Sequence, residues 1–221
     1  MNVTYRGPSD LPEAIPVFPL PGALLLPRGQ MPLNIFEPRY LAMIDDALRS
    51  SRVIGMVQPI FDDGVRQNGT DLCRVGCLGR ITQFAETGDN RYLVSLTGVS
   101  RFKIVEEMDV LTPYRQCRVT FEPFMTDFEA RAGEDAVDRA AVIRTLKDFV
   151  EVNDLSIDWK GINAAPNEAL INALSMMAPF GPREKQALLE AEDLKTRADL
   201  LVAITEIELA RRDDGSDAPL Q

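Results

Sequence analysis

A chain of 221 residues with 45% hydrophobic and 26% charged content is long enough to bury a sizeable core and too apolar for wholesale disorder. Its formal charge of −10 excludes the basic surplus on which nucleic-acid binding draws, because the count is 13 basic against 14 acidic residues up to Met125 and 11 against 20 beyond it. No run has the apolar length of a membrane span, residues 1–10 lack a signal-peptide pattern, and three cysteines suit reduced thiols rather than a disulfide framework, so the chain reads as cytoplasmic with no membrane partner.

Residues 1–13 are polar, with Gly7 and Pro8, and read as a loose arm. Across residues 15–36 short apolar runs are cut by Pro16, Pro19, Pro21, Gly22, Pro27, Gly29 and Pro32. Proline confines a strand to a sheet edge, a strand start or a bulge, which suits a barrel wall better than an open sheet. After Phe36 the period changes. Pro38 fits the first turn of a helix, and Tyr40, Leu41, Ile44 and Leu48 recur at helical spacing, predicting a helix over 37–50 that can plug one barrel opening. Residues 52–58 read as a strand without a wet face, and Asp62-Asp63-Gly64 and Asn68-Gly69 mark a loop over 59–70.

From Cys73 the odd positions Cys73, Val75, Cys77 and Ile81 predict one apolar strand face opposite Arg74 and Arg80, with Gly76 and Gly79 predicting a bulge or tight curvature. Gly88-Asp89-Asn90 predicts a hairpin turn into residues 91–99, where Tyr92, Val94 and Leu96 share a face, and that parity returns at Phe102 and Ile104. A last strand over 114–124 turns Cys117, Val119 and Phe121 inward. Short strands with glycines, one intervening helix and no repeated βα alternation predict an α+β fold whose first domain, residues 1–125, is a closed or nearly closed mixed β-barrel.

Past Met125 the period becomes helical. Val142, Leu146, Phe149 and Val150 form one stripe, Leu170, Ala173, Leu174 and Met177 a second, and Leu194, Ala198, Leu201, Ile204 and Ile207 a third. Gly181-Pro182 sets off a short helix around 183–191. Residues 126–212 therefore read as a helical bundle of about four helices, and 213–221 as a polar tail.

Little in the chain speaks for catalysis. The absence of histidine removes the commonest general base and zinc ligand. Cys73, Cys77 and Cys117 read as apolar thiols without a base to make thiolate, and no metal or other cofactor is expected. Adjacent acids such as Asp45-Asp46 and Glu106-Glu107 point in different directions and read as solvated surface. Ser156 and Lys160 read as a polar cluster at a helix start, and no Gly-x-x-x-x-Gly-Lys-Ser/Thr phosphate loop occurs. The candidate binding feature is the connection Met176-Met177-Ala178-Pro179-Phe180-Gly181-Pro182. Met176 and Met177 supply adaptable apolar surface there and Phe180 a large anchor, and all three are also explained by a helix end folded onto the barrel.

Several strings stand out: Pro16-Val17-Phe18-Pro19-Leu20, Leu24-Leu25-Leu26-Pro27, Val75-Gly76-Cys77-Leu78-Gly79-Arg80-Ile81, Val99-Ser100-Arg101-Phe102, Lys185-Gln186-Ala187-Leu188-Leu189-Glu190 and above all Leu33-Asn34-Ile35-Phe36-Glu37-Pro38-Arg39-Tyr40. Together they resemble the amino-terminal, substrate-binding domain of Lon proteases, a domain also found as free-standing bacterial proteins and in cereblon. The resemblance covers roughly residues 14–211. It implies a barrel of the pseudouridine-synthase-and-archaeosine-transglycosylase (PUA-like) type followed by docked helices, in a free-standing form lacking the ATPase and protease domains. It further implies a non-catalytic module that binds unfolded or extended polypeptide or serves as an adaptor for a protein partner. Phe36, Glu37, Arg39 and Tyr40 then mark the strand-to-helix junction, with Glu37 and Arg39 either pairing or gripping backbone carbonyls. An RNA-binding module is the alternative that the fold suggests and the acidic charge opposes; a peptidase is the alternative that the missing catalytic signatures oppose.

Overall fold

The prolines of residues 15–36 separate two short strands, β1 (Ala14–Pro19) and β2 (Gln30–Ile35). The computed structural model describes residues 4–60 and 71–213. The turn signals at Asp62-Asp63-Gly64 and Asn68-Gly69, and residues 214–221 of the expected tail, lie outside the described residues. Pro32 is tolerated because β2 pairs with β5 alone, and Pro16 because the ladder from β1 to β3 begins one residue later, at Val17↔Gly55. The other strands are β3 (Val53–Val57), β4 (Val75–Glu86), β5 (Tyr92–Glu107) and β6 (Gln116–Thr120). Together they form one six-stranded sheet in the order β2-β5-β4-β3-β1-β6, with a further pairing of β5 to β6.

That extra pairing makes the ladder a circuit, β5-β4-β3-β1-β6-β5, and the length of β5 permits it. Its first residues pair with β2, from Tyr92 to Thr97, and its last, from Lys103 to Glu107, pair with β6. The register shifts at Leu78/Gly79, Ile81/Gln83 and Ile104/Glu106, and such bulges increase local twist and bend a sheet. Inside the circuit sits a core of Ile15, Val17, Val53, Val57, Leu78, Phe102, Cys117, Val119 and Phe121, each under 5% exposed. Two glycines let it close. A Cβ at Gly76 would stand 2.4 Å from the Phe102 ring, and one at Gly98 would stand 2.0 Å from the Leu26 carbonyl oxygen.

Three strand readings change. The expected odd apolar face of β4 gives way between Gly76 and Gly79, where Cys77 and Leu78 are both buried because the bulge abolishes simple alternation. The hairpin at Gly88 and Asn90, both at positive φ, leads not into a strand ending at Val99 but into one continuous β5. The last strand stops at Thr120. Residues Glu122–Phe128 coil into 3-10 turns that carry Asp127 to Arg101 on β5, with carboxylate and guanidinium 2.9 Å apart and nearly sealed from solvent.

Helix α1 (Pro38–Arg49) follows β2 with Pro38 in its first turn. Its inner face is Tyr40, Met43, Ile44 and Ala47, whereas Leu41 and Leu48 lie at the margins. Tyr40 packs on Phe18 of β1 with ring centroids 4.3 Å apart. The acid pair on this helix is more than solvated surface, because Tyr92 donates to Asp45 at 3.1 Å and Tyr114 to Asp46 at 2.7 Å.

The chain divides into two compact units, Met1–Ala130 and Arg131–Gln221. Among its described residues the second contains five α-helices, α2 (Arg139–Val152), α3 (Trp159–Ala164), α4 (Asn167–Met177), α5 (Pro182–Glu190) and α6 (Leu194–Asp213). Periodicity misses α3 because it is under two turns long. Asp138 caps α2 by accepting from the Ala141 N–H at 3.0 Å. Glu134 receives the Glu168 N–H at 2.9 Å and the Arg131 guanidinium at 2.7 Å. Burial alone would raise its pKa, yet those two donors hold the carboxyl below the ordinary glutamate value.

Candidate functional site

The second unit carries an apolar groove of about 370 Å³, within the size range of small-ligand and side-chain pockets. One wall is the helical stripe Val142, Leu146, Phe149 and Val150 of α2, continued by Leu155 and Ile157 beyond its end. The opposite wall is Leu201 and Val202 on α6, and the connection from Met177 to Phe180 closes the end between α4 and α5. These positions recur at three and four residues, so each helix turns one stripe toward the same space.

Polar groups at the groove are turned inward on their own helices. The Thr205 hydroxyl donates to the Leu201 carbonyl at 2.7 Å, and the Asn153 amide donates to the Phe149 carbonyl at 2.7 Å. What remains for a ligand is shape and apolar area, which favour side chains over any fixed pattern of donors and acceptors. Several rim residues are exposed, among them Met177 at 82% and Leu155 at 50%.

Of the residues singled out from the sequence, Met177 stands on the rim and Phe180, 7% exposed, lies against the floor. Met176 does not line the groove; its carbonyl accepts from Lys185 Nζ at 3.5 Å. Burial lowers the pKa of that lysine below its usual value. Sequence reasoning assigned Leu146, Phe149 and Val150 to a packing stripe and so missed that they line the groove. The signal was a stripe with more apolar residues than one neighbouring helix can cover.

The junction residues belong to the first unit. Glu37 and Arg39 pair with each other at 2.8 Å in an exposed position, an arrangement worth little in water. Arg39 stacks over the Tyr40 ring at 4.5 Å, and Phe36 is 59% exposed with Arg91 over its ring at 5.6 Å. Tyr40 is buried while Phe36 is not, so the four residues do not converge on one pocket.

Burial pushes the Cys117 thiol up to about 11, followed in effect by the charge of Glu107, so it carries no thiolate near neutral pH. Ser156 and Lys160 are both exposed, and Asp158 between them caps α3 through the Lys160 N–H at 3.0 Å. Among the described residues no group of three His, Cys, Asp or Glu side chains gathers as a metal site, and no helix is long and apolar enough to cross a membrane.

The chain is an α+β protein with a circuit-forming sheet in one unit and an open apolar groove in the other. The family model of the ATP-dependent protease La (LON) substrate-binding domain matches residues 14–206, and the chain belongs to that family. It is 27% identical to Lon protease 2 of Myxococcus xanthus over 215 residues, covering 88% of this chain and 24% of that protein. It is 29% identical to Lon protease of Parabacteroides distasonis over 224 residues, covering 90% and 24%. The chain thus spans about a quarter of the length of the curated relatives it matches. Among solved structures it resembles the N-terminal domain of Mycobacterium avium complex Lon protease, with a TM-score of 0.63, 19% identity and coverage of 87% and 98%. It also resembles a Lon N-terminal domain protein from Xanthomonas campestris, with a TM-score of 0.60, 20% identity and coverage of 86% and 97%. These two likenesses concern the fold.

Proposed function

We propose that this chain is a non-catalytic substrate-recognition module that binds extended or unfolded polypeptide through the groove of its second unit, alone or as an adaptor for a protein partner. The observation that carries the reading is an apolar groove of about 370 Å³ in a member of the Lon substrate-binding family. A groove whose Thr205 and Asn153 side chains are bonded to their own helices and whose lining is otherwise mostly apolar accepts many apolar side chains and demands no one sequence, as a binder of varied unfolded segments requires. Met177 supplies an adaptable edge and Phe180 a fixed surface. In the first unit, the strand circuit supports a mixed barrel of the PUA-like type, with the five helices of the second unit as the bundle. The chain is expected to bind polypeptide without ATP.

Fluorescence anisotropy with labelled unfolded casein tests this. Saturable binding is expected, and Met177→Glu, at an exposed rim position, is expected to weaken it about tenfold, the cost of losing one apolar anchor. Phe36→Ser, in the first unit, is expected to leave affinity unchanged. Absence of saturable binding, or equal binding by the Met177 variant, overturns the proposal.

A further inference from the structure

The first unit holds a pocket of opposite character, about 450 Å³ in volume, lined by Arg28, Arg52 and Arg80 with Tyr5, Thr82 and Thr97. Asp127 also reaches its wall, but this carboxylate is committed. It receives the Arg101 guanidinium at 2.9 and 3.0 Å and the Arg101 N–H at 2.8 Å. The charge of Asp127 is therefore already neutralised within the fold, and Arg52 and Arg80 on the wall leave the pocket positive.

Elsewhere on this unit five arginines have acidic partners, whereas the exposed Arg6 and Arg74 stand apart from the pocket. Arg39 pairs with Glu37, Arg49 with Asp46, Arg91 with Asp89, Arg115 with Glu107 and Arg118 with Glu106. Among the described residues, no carboxylate pairs with Arg52 or Arg80. Arg80 is instead held by a neutral group, donating to the Tyr5 hydroxyl at 2.7 Å, which fixes its guanidinium without cancelling the charge. Arg28 donates to the Asp127 carbonyl oxygen at 2.7 Å, which brings it to the same wall.

The backbone supplies a second, independent observation. Arg28 and Arg52 both sit in the left-handed region, at φ 65 and 59, where glycine or asparagine fits with less strain. Backbone bonds hold them there: the Arg28 N–H donates to Gly98 O at 2.8 Å and the Arg52 N–H to Ala47 O at 2.9 Å. The turns themselves do not ask for arginine; Arg131, with the same backbone at φ 66, pairs its guanidinium with Glu134, whereas no carboxylate among the described residues takes that of Arg52.

We propose that this pocket is a binding site for a phosphate-type oxyanion, a free phosphate or pyrophosphate or the phosphate group of a small ester, with Arg52 and Arg80 as the main ligands and Arg28 as a third. Guanidinium forks match tetrahedral oxyanions, and several of them favour a multiply charged ligand over a single carboxylate. The Thr82 and Thr97 hydroxyls are bonded to each other at 3.1 Å, so charge rather than a dedicated hydroxyl cradle does the holding, and affinity falls with salt. The pocket lies in the unit that does not contain the polypeptide groove, and the two sites stand or fall separately.

Calorimetric titration of the full chain with pyrophosphate, orthophosphate and adenosine monophosphate at constant ionic strength tests the proposal. One saturable site is expected, with Arg52→Gln and Arg80→Gln each weakening pyrophosphate about tenfold or more. Arg118→Gln, an already paired exposed arginine, is expected to change nothing. Arg52→Gly suits the left-handed backbone and is expected to lose binding while keeping or raising the unfolding midpoint, which separates a lost ligand from a lost fold. Tighter binding of the monophosphate ester than of orthophosphate assigns a nucleotide-like ligand; the reverse assigns a free anion. No saturable heat up to about 10 mM, equal weakening by Arg118→Gln, or binding of single-stranded RNA without any binding of the small anions overturns it. Met177→Glu leaves pyrophosphate binding intact if the two sites are independent, and its loss in that variant equally counts against the assignment.

Discussion

Arg101 and Asp127 are the residues whose separation costs the first unit most. Both are nearly sealed from solvent, at 2% and 7% exposure, and breaking a buried pair strands a charge in a medium that solvates it poorly. Asp127→Ala is expected to lower the unfolding free energy by about 3–5 kcal/mol, read as a shift of the urea midpoint. Replacing both residues with apolar ones of similar volume is expected to recover most of that loss. Tyr114 sets an alkaline limit. Burial first, then its hydrogen bond to Asp46, raise the phenol to about 12 from an ordinary 10.0. The folded chain therefore holds this proton more tightly than the unfolded one. The resulting stability is complete below the unfolded value of 10.0 and is lost as pH climbs toward about 12. Tyr114→Phe is expected to flatten the decline of the unfolding midpoint above that lower value. Among the thiols, Cys73 is half-buried while Cys77 and Cys117 are buried, so brief alkylation of the native chain should label Cys73 first, as peptide mass mapping would read.

At the scale of elements, closure of the strand circuit rests on places with no room for a side chain. Gly98→Ala drives a Cβ onto the Leu26 carbonyl oxygen, backbone that cannot swing aside. Its expected cost is at least about 3 kcal/mol, the upper range of overpacking, with thermal unfolding as the measure. Asp138→Ala removes the cap of α2 and should cost about 1 kcal/mol. Since α2 carries one wall of the groove, polypeptide affinity should fall less than stability does, because the stripe lies beyond the first turn. The elements also show where local pattern reading holds. Residues 53–57 are buried throughout as their apolar run predicts, and α1 begins at Pro38. The burial face of α1 moved to Met43 and Ala47 because Leu41 and Leu48 point toward its flanks, and propensity says nothing about which flank has a neighbour.

For the whole chain, the net charge of −10 is unevenly shared, with 11 basic and 18 acidic residues in the helical unit from Arg131 on, whose groove is lined by no acid. A net negative unit repels polyanions while leaving apolar contact available, which favours a polypeptide over a nucleic-acid ligand for the proposed groove. The first unit brings Arg52 and Arg80, which no carboxylate among the described residues pairs with, to one pocket, a local feature that the total charge conceals. Incubation of the chain with ATP and casein is expected to leave both intact; release of phosphate or of acid-soluble peptide by the pure chain would contradict a recognition role.

The order of short strands, one helix, then helices was legible in proline placement and in the change of apolar period, because those signals arise from the backbone's own limits. The family was legible in residues 33–40 for the same local reason. Only the tertiary structure decided the rest. Whether Phe149 and Val150 would be covered or left lining a groove depends on where α6 and the residues after Met177 run. That Arg52 and Arg80 meet across one pocket depends on pairing between β3 and β4, at Val53↔Arg80. Sequence spacing constrains neighbours along the chain, whereas burial and charge compensation are set by what folds back from far along it.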